Sequence, residues 1–249
     1  MHFSVLVIGD NVEELMKPYQ ENNMGDCPQE YLEFEEEYSA EDFALKSENE
    51  KDWIAEDYEE HNWAYWYWCN PNSIWDWYEV WGRWAGMLTL KKDVDKSKYP
   101  PVNFSWGWDE ESKDEVNKEH RVDSAQIKDI DWEAMRNKVY EHRLQKFKKV
   151  LKTFEGKIPD NDHDFNEKLM EGIRWEGKWN GLNFWDRRDQ FNFETPEAYA
   201  EHHAKNFFGT YYVVDEDQYH CVDWEDGFFD KYIKDLDPET TITIVDCHS

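Results

Sequence analysis

The apolar positions fall into a small number of runs, and each predicts an element. His2–Ile8 (His-Phe-Ser-Val-Leu-Val-Ile) is a β-branched run broken by Gly9-Asp10-Asn11, as a buried strand would be. Asn11 with Glu14 three residues on marks a helix start, so a helix is expected to about Tyr19. After a loop at 22–28, Phe43, Trp53, Ile54 and Tyr58 suit one apolar helix face behind a cap at Ser39. Asn70-Pro-Asn-Ser73 is a turn signal, and the alternation in Ile74–Val80 fits a strand. Ile127, Ile130, Met135, Val139, Phe147, Val150, Leu151 and Phe154 recur near helical spacing. They predict the longest helix, from Ser124 to Phe154, stopped by Gly156. A shorter helix is expected over 160–172. Another starts at Thr195-Pro196 and runs to about Phe208, before Gly209. Tyr211–Asp215 and Gln218–Trp224 predict a hairpin, Asp226–Leu236 a short helix, and Thr240–Asp246 a final strand.

Taken from its two ends, the chain reads β-α and then β-β-α-β, the order of a ferredoxin-like α+β unit. The expected organisation is a small sheet unit built from residues 1–21 and 209–249. Residues 22–208 are then an acidic, Trp-rich, mostly helical insertion. A helical domain packed on a small sheet is the other arrangement the pattern allows.

Charge changes the picture. The 249 residues hold 57 Asp and Glu against 28 Lys and Arg, a formal charge of −29. Low hydropathy with high charge is the signature of disorder, but disordered chains lack aromatics. Here aromatics reach 17%, with 15 Trp, so a folded chain with a negative surface is expected. Such a field repels nucleic acids and anionic membranes and favours basic partners. Neither direct nucleic-acid binding nor membrane binding is expected. Lys146, Lys148, Lys149 and Lys152 fit the C-terminal end of the long helix, where cations offset the macrodipole. Cys27, Cys69, Cys221 and Cys247 form no Cys-x-x-Cys pair, so free thiols in a reducing cytoplasm are expected, without a structural zinc. No secretory leader or membrane-spanning apolar run is evident.

Three stretches carry candidate chemistry. Trp63–Leu88 concentrates aromatic mass and must be either core or the floor of a binding surface. Gly82 and Gly86 flank Arg83-Trp84-Ala85 and predict a close backbone approach. Trp75, Trp77, Tyr78, Arg83 and Trp84 are a candidate stacking pocket for a nucleotide or sugar, with Arg83 over a ring or on a carboxylate. The block from Glu30 to Glu60 contains Glu35, Glu36, Glu37, Glu56, Asp57, Glu59 and Glu60. It is either a solvated face or a mimic of the phosphate backbone. The closing Asp246-Cys247-His248 is the sharpest constellation. Strand alternation puts Asp246 and His248 on one face and Cys247 on the other, so only Asp246 and His248 remain as a weak catalytic candidate. His202-His203 diverge on a helix and His163 sits between two aspartates, which fits no metal site. No metal or cofactor is expected. No phosphate loop, nucleophile elbow or His-Glu-x-x-His is present, and with so many acids a carboxylate pair alone does not mark a glycosidase.

The stretch Asn70-Pro-Asn-Ser-Ile-Trp-Asp-Trp-Tyr-Glu-Val-Trp-Gly-Arg-Trp-Ala-Gly86 resembles a group of uncharacterised bacteriophage proteins. The likeness extends to the apolar opening strand, to Pro18-Tyr-Gln-Glu21 and to the ending Val245-Asp-Cys-His248. Where that group is expected to carry Gly-Gly-Arg-Trp, this chain has Trp81-Gly82-Arg83-Trp84. The resemblance implies a phage accessory protein acting inside an infected bacterium, and implies no activity. Joined to the charge, it leads to a non-enzymatic protein that binds and inhibits a basic, nucleic-acid-handling host protein, as an anti-defence factor or DNA mimic would. A small-molecule binder or enzyme, and a structural or assembly protein, are the alternatives.

Overall fold

The computed structural model describes residues 1–23, 25–39, 42, 44–48, 50–51, 59–61, 64–80, 82–104, 108–153, 193, 195–216, 218–222 and 226–249, with the backbone alone at 35–39, 59–61, 64–67 and 153. The protein is mixed α+β, with a mixed sheet and several helices. It divides into two compact units. One is Met1–Asp129, Thr210–Asp223 and Asp237–Ser249; the other is Ile130–Gly209 and Trp224–Leu236.

The first unit is built on the two ends of the chain. Strand β1 (His2–Ile8) pairs along its whole length, antiparallel, with β11 (Thr241–His248), from His2 opposite His248 to Ile8 opposite Ile242. Both are buried at every interior position, which is why their sequences run apolar rather than alternating. On the other side of β1, β9 (Tyr212–Val214) lies parallel and carries β10 (Tyr219–Cys221) on its outer edge. Beyond β11, β5 (Trp77–Val80) pairs at one end and β8 (Ser124–Gln126) at the other. One face of the sheet packs Phe3, Val5, Val7, Val214, Val245 and Cys247 against Met16 and Trp75. Met16 comes from α1 (Val12–Met16). The helix is shorter than its pattern suggests, because Pro18 falls where Lys17–Tyr19 tightens into a 3-10 turn. Asn11 caps α1 through its backbone carbonyl only, which accepts from Leu15 N–H at 3.1 Å.

The division differs from the expected 1–21 plus 209–249 unit. Residues 22–129 belong with the chain ends, and within 22–208 the described backbone includes many strands. β2 (Glu33–Ser39), β3 (Glu59–His61) and β4 (Ala64–Cys69) form an antiparallel sheet in the order β2-β4-β3. Ser39 is the last residue of β2. The aromatic run of β4 has strong strand propensity, and it recruits the acidic segments on both sides as its neighbours. The apolar helix face expected on Phe43, Trp53, Ile54 and Tyr58 lies outside the described residues. β6 (Leu88–Thr89) pairs with β7 (Arg121–Val122), and α2 (Glu110–Lys118), capped by Asp109 on Ser112 N–H, lies between them in sequence.

In the second unit, α3 (Trp132–Thr153) starts later than expected. Ser124–Gln126 is drawn into the sheet as β8, and Ile127–Asp129 forms a 3-10 turn. Leu144, Phe147 and Val150 of α3 are buried, as are Tyr199, Ala200 and Ala204 of α4 (Pro196–Lys205). Phe147 and Tyr199 meet at 5.3 Å between these helices. Thr195 caps α4, its Oγ1 accepting from Ala198 N–H at 3.1 Å, with Pro196 at the first turn as the sequence predicts. Lys148 reaches Glu197 at 3.8 Å, and Lys152 sits in the last turn of α3. A short helix, α5 (Phe228–Tyr232), follows. His163 and the helix expected over 160–172 fall outside the described residues. Among the described residues no helix is long and apolar enough to cross a membrane.

Candidate functional site at the sheet end

Alternation along β11 sorts its last residues into two environments. Cys247 points into the apolar cluster. Burial pushes its thiol up, and the Asp246 and Asp76 carboxylates push it further, so it is no activated thiolate. All four cysteines are free thiols. Asp246 is fully buried and uses both carboxylate oxygens. Oδ1 lies 3.0 Å from His2 Nδ1, and Oδ2 accepts the Arg83 backbone N–H at 2.8 Å. Gly82, at φ +74°, lets the chain pass there; a Cβ would run into the Asp246 carboxylate.

A second pair sits alongside. His248 Nδ1 lies 2.8 Å from Asp76 Oδ2 and 3.0 Å from Oδ1. Burial works to raise the Asp76 carboxyl, but the hydrogen bonds from His248 and from Trp77 N–H outweigh it and hold the group below its usual range. The register of the three strands brings the parts together, since His2 faces His248 and His248 faces Trp77. The two imidazoles meet edge to face at 5.1 Å. Trp77 lies parallel to His248 at 5.7 Å and edge-on to His2 at 5.5 Å. Trp77 keeps 41% of its surface exposed, so the cluster opens to solvent on its side.

A carboxylate can only accept, so each Nδ1 carries the hydrogen of its pair and Nε2 is the ring nitrogen left outside it. That is how a general base is oriented. Neither nearby candidate serves as its nucleophile: Cys247 faces away, and Ser4, opposite Asp246 in register, is fully buried with no partner for its Oγ. Among the described residues, no three His, Cys, Asp or Glu side chains converge to hold a metal. The sequence singles out Asp246 and His248 but not their partners. His2 and Asp76 reach them through pairing between residues far apart in the chain, for which local pattern carries no signal.

The structure does not gather the residues of the expected stacking pocket on one side. Trp75 is fully buried in the core cluster, and Tyr78 packs on that same side. Trp77 alternates to the opposite face, and the Arg83 side chain is exposed. Trp75 also precedes β5; it bridges Gln20, and its carbonyl accepts Glu21 N–H at 2.7 Å. The expectation at the two glycines holds. Gly86, at φ +68°, would put a Cβ 2.6 Å from Val116 Cγ1. The turn between them is clamped at both ends by buried aspartates, Asp246 on Arg83 N–H and Asp123 on Gly86 N–H.

Of the acidic candidates, Glu35, Glu36 and Glu37 lie on β2, and Glu59 and Glu60 on β3. Glu36 and Glu59 stand opposite Trp66, on either side of it, and Glu60 stands opposite Tyr65. Glu56 and Asp57 lie outside the described residues. The stretches that carry the phage resemblance are neighbours in space. Asn70 Nδ2 donates to the carbonyls of Pro18 and Gln20, both at 2.9 Å, and Trp77 stacks on His248. No protein family, curated protein or solved structure matches the chain.

Proposed function

We propose that this is a phage accessory protein that captures a basic, nucleic-acid-handling protein of the infected bacterium, in the cytoplasm, and blocks it by offering carboxylates in place of phosphates. The observation that carries this reading is the β2-β4-β3 sheet, which sets acidic strands on both sides of an aromatic one in a chain of charge −29. Rows of like charge on outer strands resist self-association while they attract a basic segment. Electrostatic steering would speed the encounter and make it salt-sensitive. Along the chain, the element order β1-α1…β9-β10-α5-β11 follows the ferredoxin-like order, with α5 in the second unit.

The test is a pull-down from bacterial lysate with the wild-type protein and with Glu35, Glu36 and Glu37 all changed to Gln. The expected result is a DNA- or RNA-handling protein captured at low salt, released at high salt and lost from the triple variant. Equal capture by the triple variant at low salt would sink the charge-mimic reading.

A further inference from the structure

The second unit holds a pocket that brings two cations of this acidic chain together. It lies among α3, α4 and the residues leading into α5, with a volume of about 750 Å3, within the range of small-ligand sites. Arg136, His202 and Lys205 line it. Arg136 is held by ring faces instead of a carboxylate. Its guanidinium carbon lies 4.9 Å from the Phe207 centroid and 5.7 Å from that of Phe229, which leaves its N–H donors uncommitted. Neither Arg136 nor Lys205 has a carboxylate partner among the described residues. In a chain with twice as many acids as bases, two unpaired cations in one concavity require a reason.

The acids in the lining are mostly engaged. Asp226 accepts from Asn206 Nδ2 at 2.8 Å, while Asn206 Oδ1 accepts Gly227 N–H at 2.9 Å. Asp230 pairs with Lys234 at 3.4 Å. Asn206 is a neutral donor and leaves the charge of Asp226 in place, so Glu201 and Asp226 both stand against the cations. We propose that this pocket binds a phosphate monoester of nucleotide or sugar-phosphate size, with Arg136 and Lys205 on the phosphate. Such a group carries a charge of about −1.5 to −2 at pH 7, which matches two uncommitted cations. The volume leaves room for an organic moiety, and Tyr140 and His202 offer ring faces for it. The inference lies in a different unit from the acidic strands and does not depend on the partner-capture reading.

Isothermal titration of the full chain at low salt tests it, with AMP and ribose 5-phosphate as probes and adenosine as the uncharged control. AMP and ribose 5-phosphate bind, and adenosine binds at least about tenfold more weakly. Lys205→Gln, at an exposed position, weakens AMP binding by about tenfold, the loss of one charge-assisted hydrogen bond. Arg136→Gln does the same, with the melting temperature followed because Arg136 also supports the aromatic rings. Glu201→Gln tightens binding by about twofold to threefold. Absence of binding by AMP and ribose 5-phosphate up to about 1 mM overturns the proposal. Equal affinity for adenosine does so too, as does an AMP affinity that Lys205→Gln leaves unmoved.

Discussion

Trp75 and Trp77 are two residues apart and have opposite fates. Trp75 is fully buried with no partner for its indole N–H, while Trp77 lies half in solvent against two imidazoles. The difference comes from what each meets in space and not from its own chemistry. The same holds at Gly82, where glycine is required both by its backbone angle and by the Asp246 carboxylate that fills the place of a Cβ. Gly82→Ala therefore strains the turn and displaces a buried charge from its two partners. We expect it to destabilise the protein by about 3 kcal/mol. Urea denaturation measures this; a loss below about 1 kcal/mol would mean that Asp246 and the turn move apart without cost.

Among the elements, the turn between β5 and β6 depends on a second carboxylate. Asp123 is buried between β7 and β8, and burial pushes its carboxyl up to about 6, against the pull of the Gly86 and Asn103 N–H groups. The folded state then holds a proton that the unfolded chain releases nearer pH 4. Stability from this group is present at acid pH and is lost as pH rises through about 6. Between pH 7 and pH 5 it amounts to about 1.4 kcal/mol in favour of pH 5. Asp123→Asn abolishes that increment, which denaturation curves at the two pH values will show. An unchanged difference would mean that the Asp123 carboxyl ionises alike in both states. Element type is legible in the sequence where a segment's period is unambiguous. β1 coincides with its predicted span, α4 starts at its predicted cap, and the closing strand is extended only to His248. The acidic stretch Glu33–Ser39 carries no period that marks it as a strand, and its partner strand decides its state.

For the molecule as a whole, charge is the strongest influence outside the core. A formal −29 spread over 249 residues repels itself, and salt screens that repulsion. Raising NaCl from about 10 to about 150 mM should lift the melting temperature by a few degrees, the scale on which about 1 kcal/mol registers in a chain of this length. A fall would show that ion pairs such as Lys128–Glu239 and Lys17–Glu14 outweigh the general repulsion. Local sequence is enough to mark the strongly periodic segments as strands or helices and to show that the chain carries a large negative field. It is also enough to place close approaches at two glycines, and to put Asp246 and His248 on one face apart from Cys247. These follow from local period, composition and backbone sterics. It took the folded chain to show that His2 and Asp76 complete the histidine–carboxylate pairs and that Trp75 belongs to the core. The same is true of Arg136 and Lys205, which share a pocket in place of the one sought at Arg83. Those facts depend on pairings between residues far apart in the chain. A β register or a helix crossing is set by the sum of many distant contacts, and no window of sequence contains them.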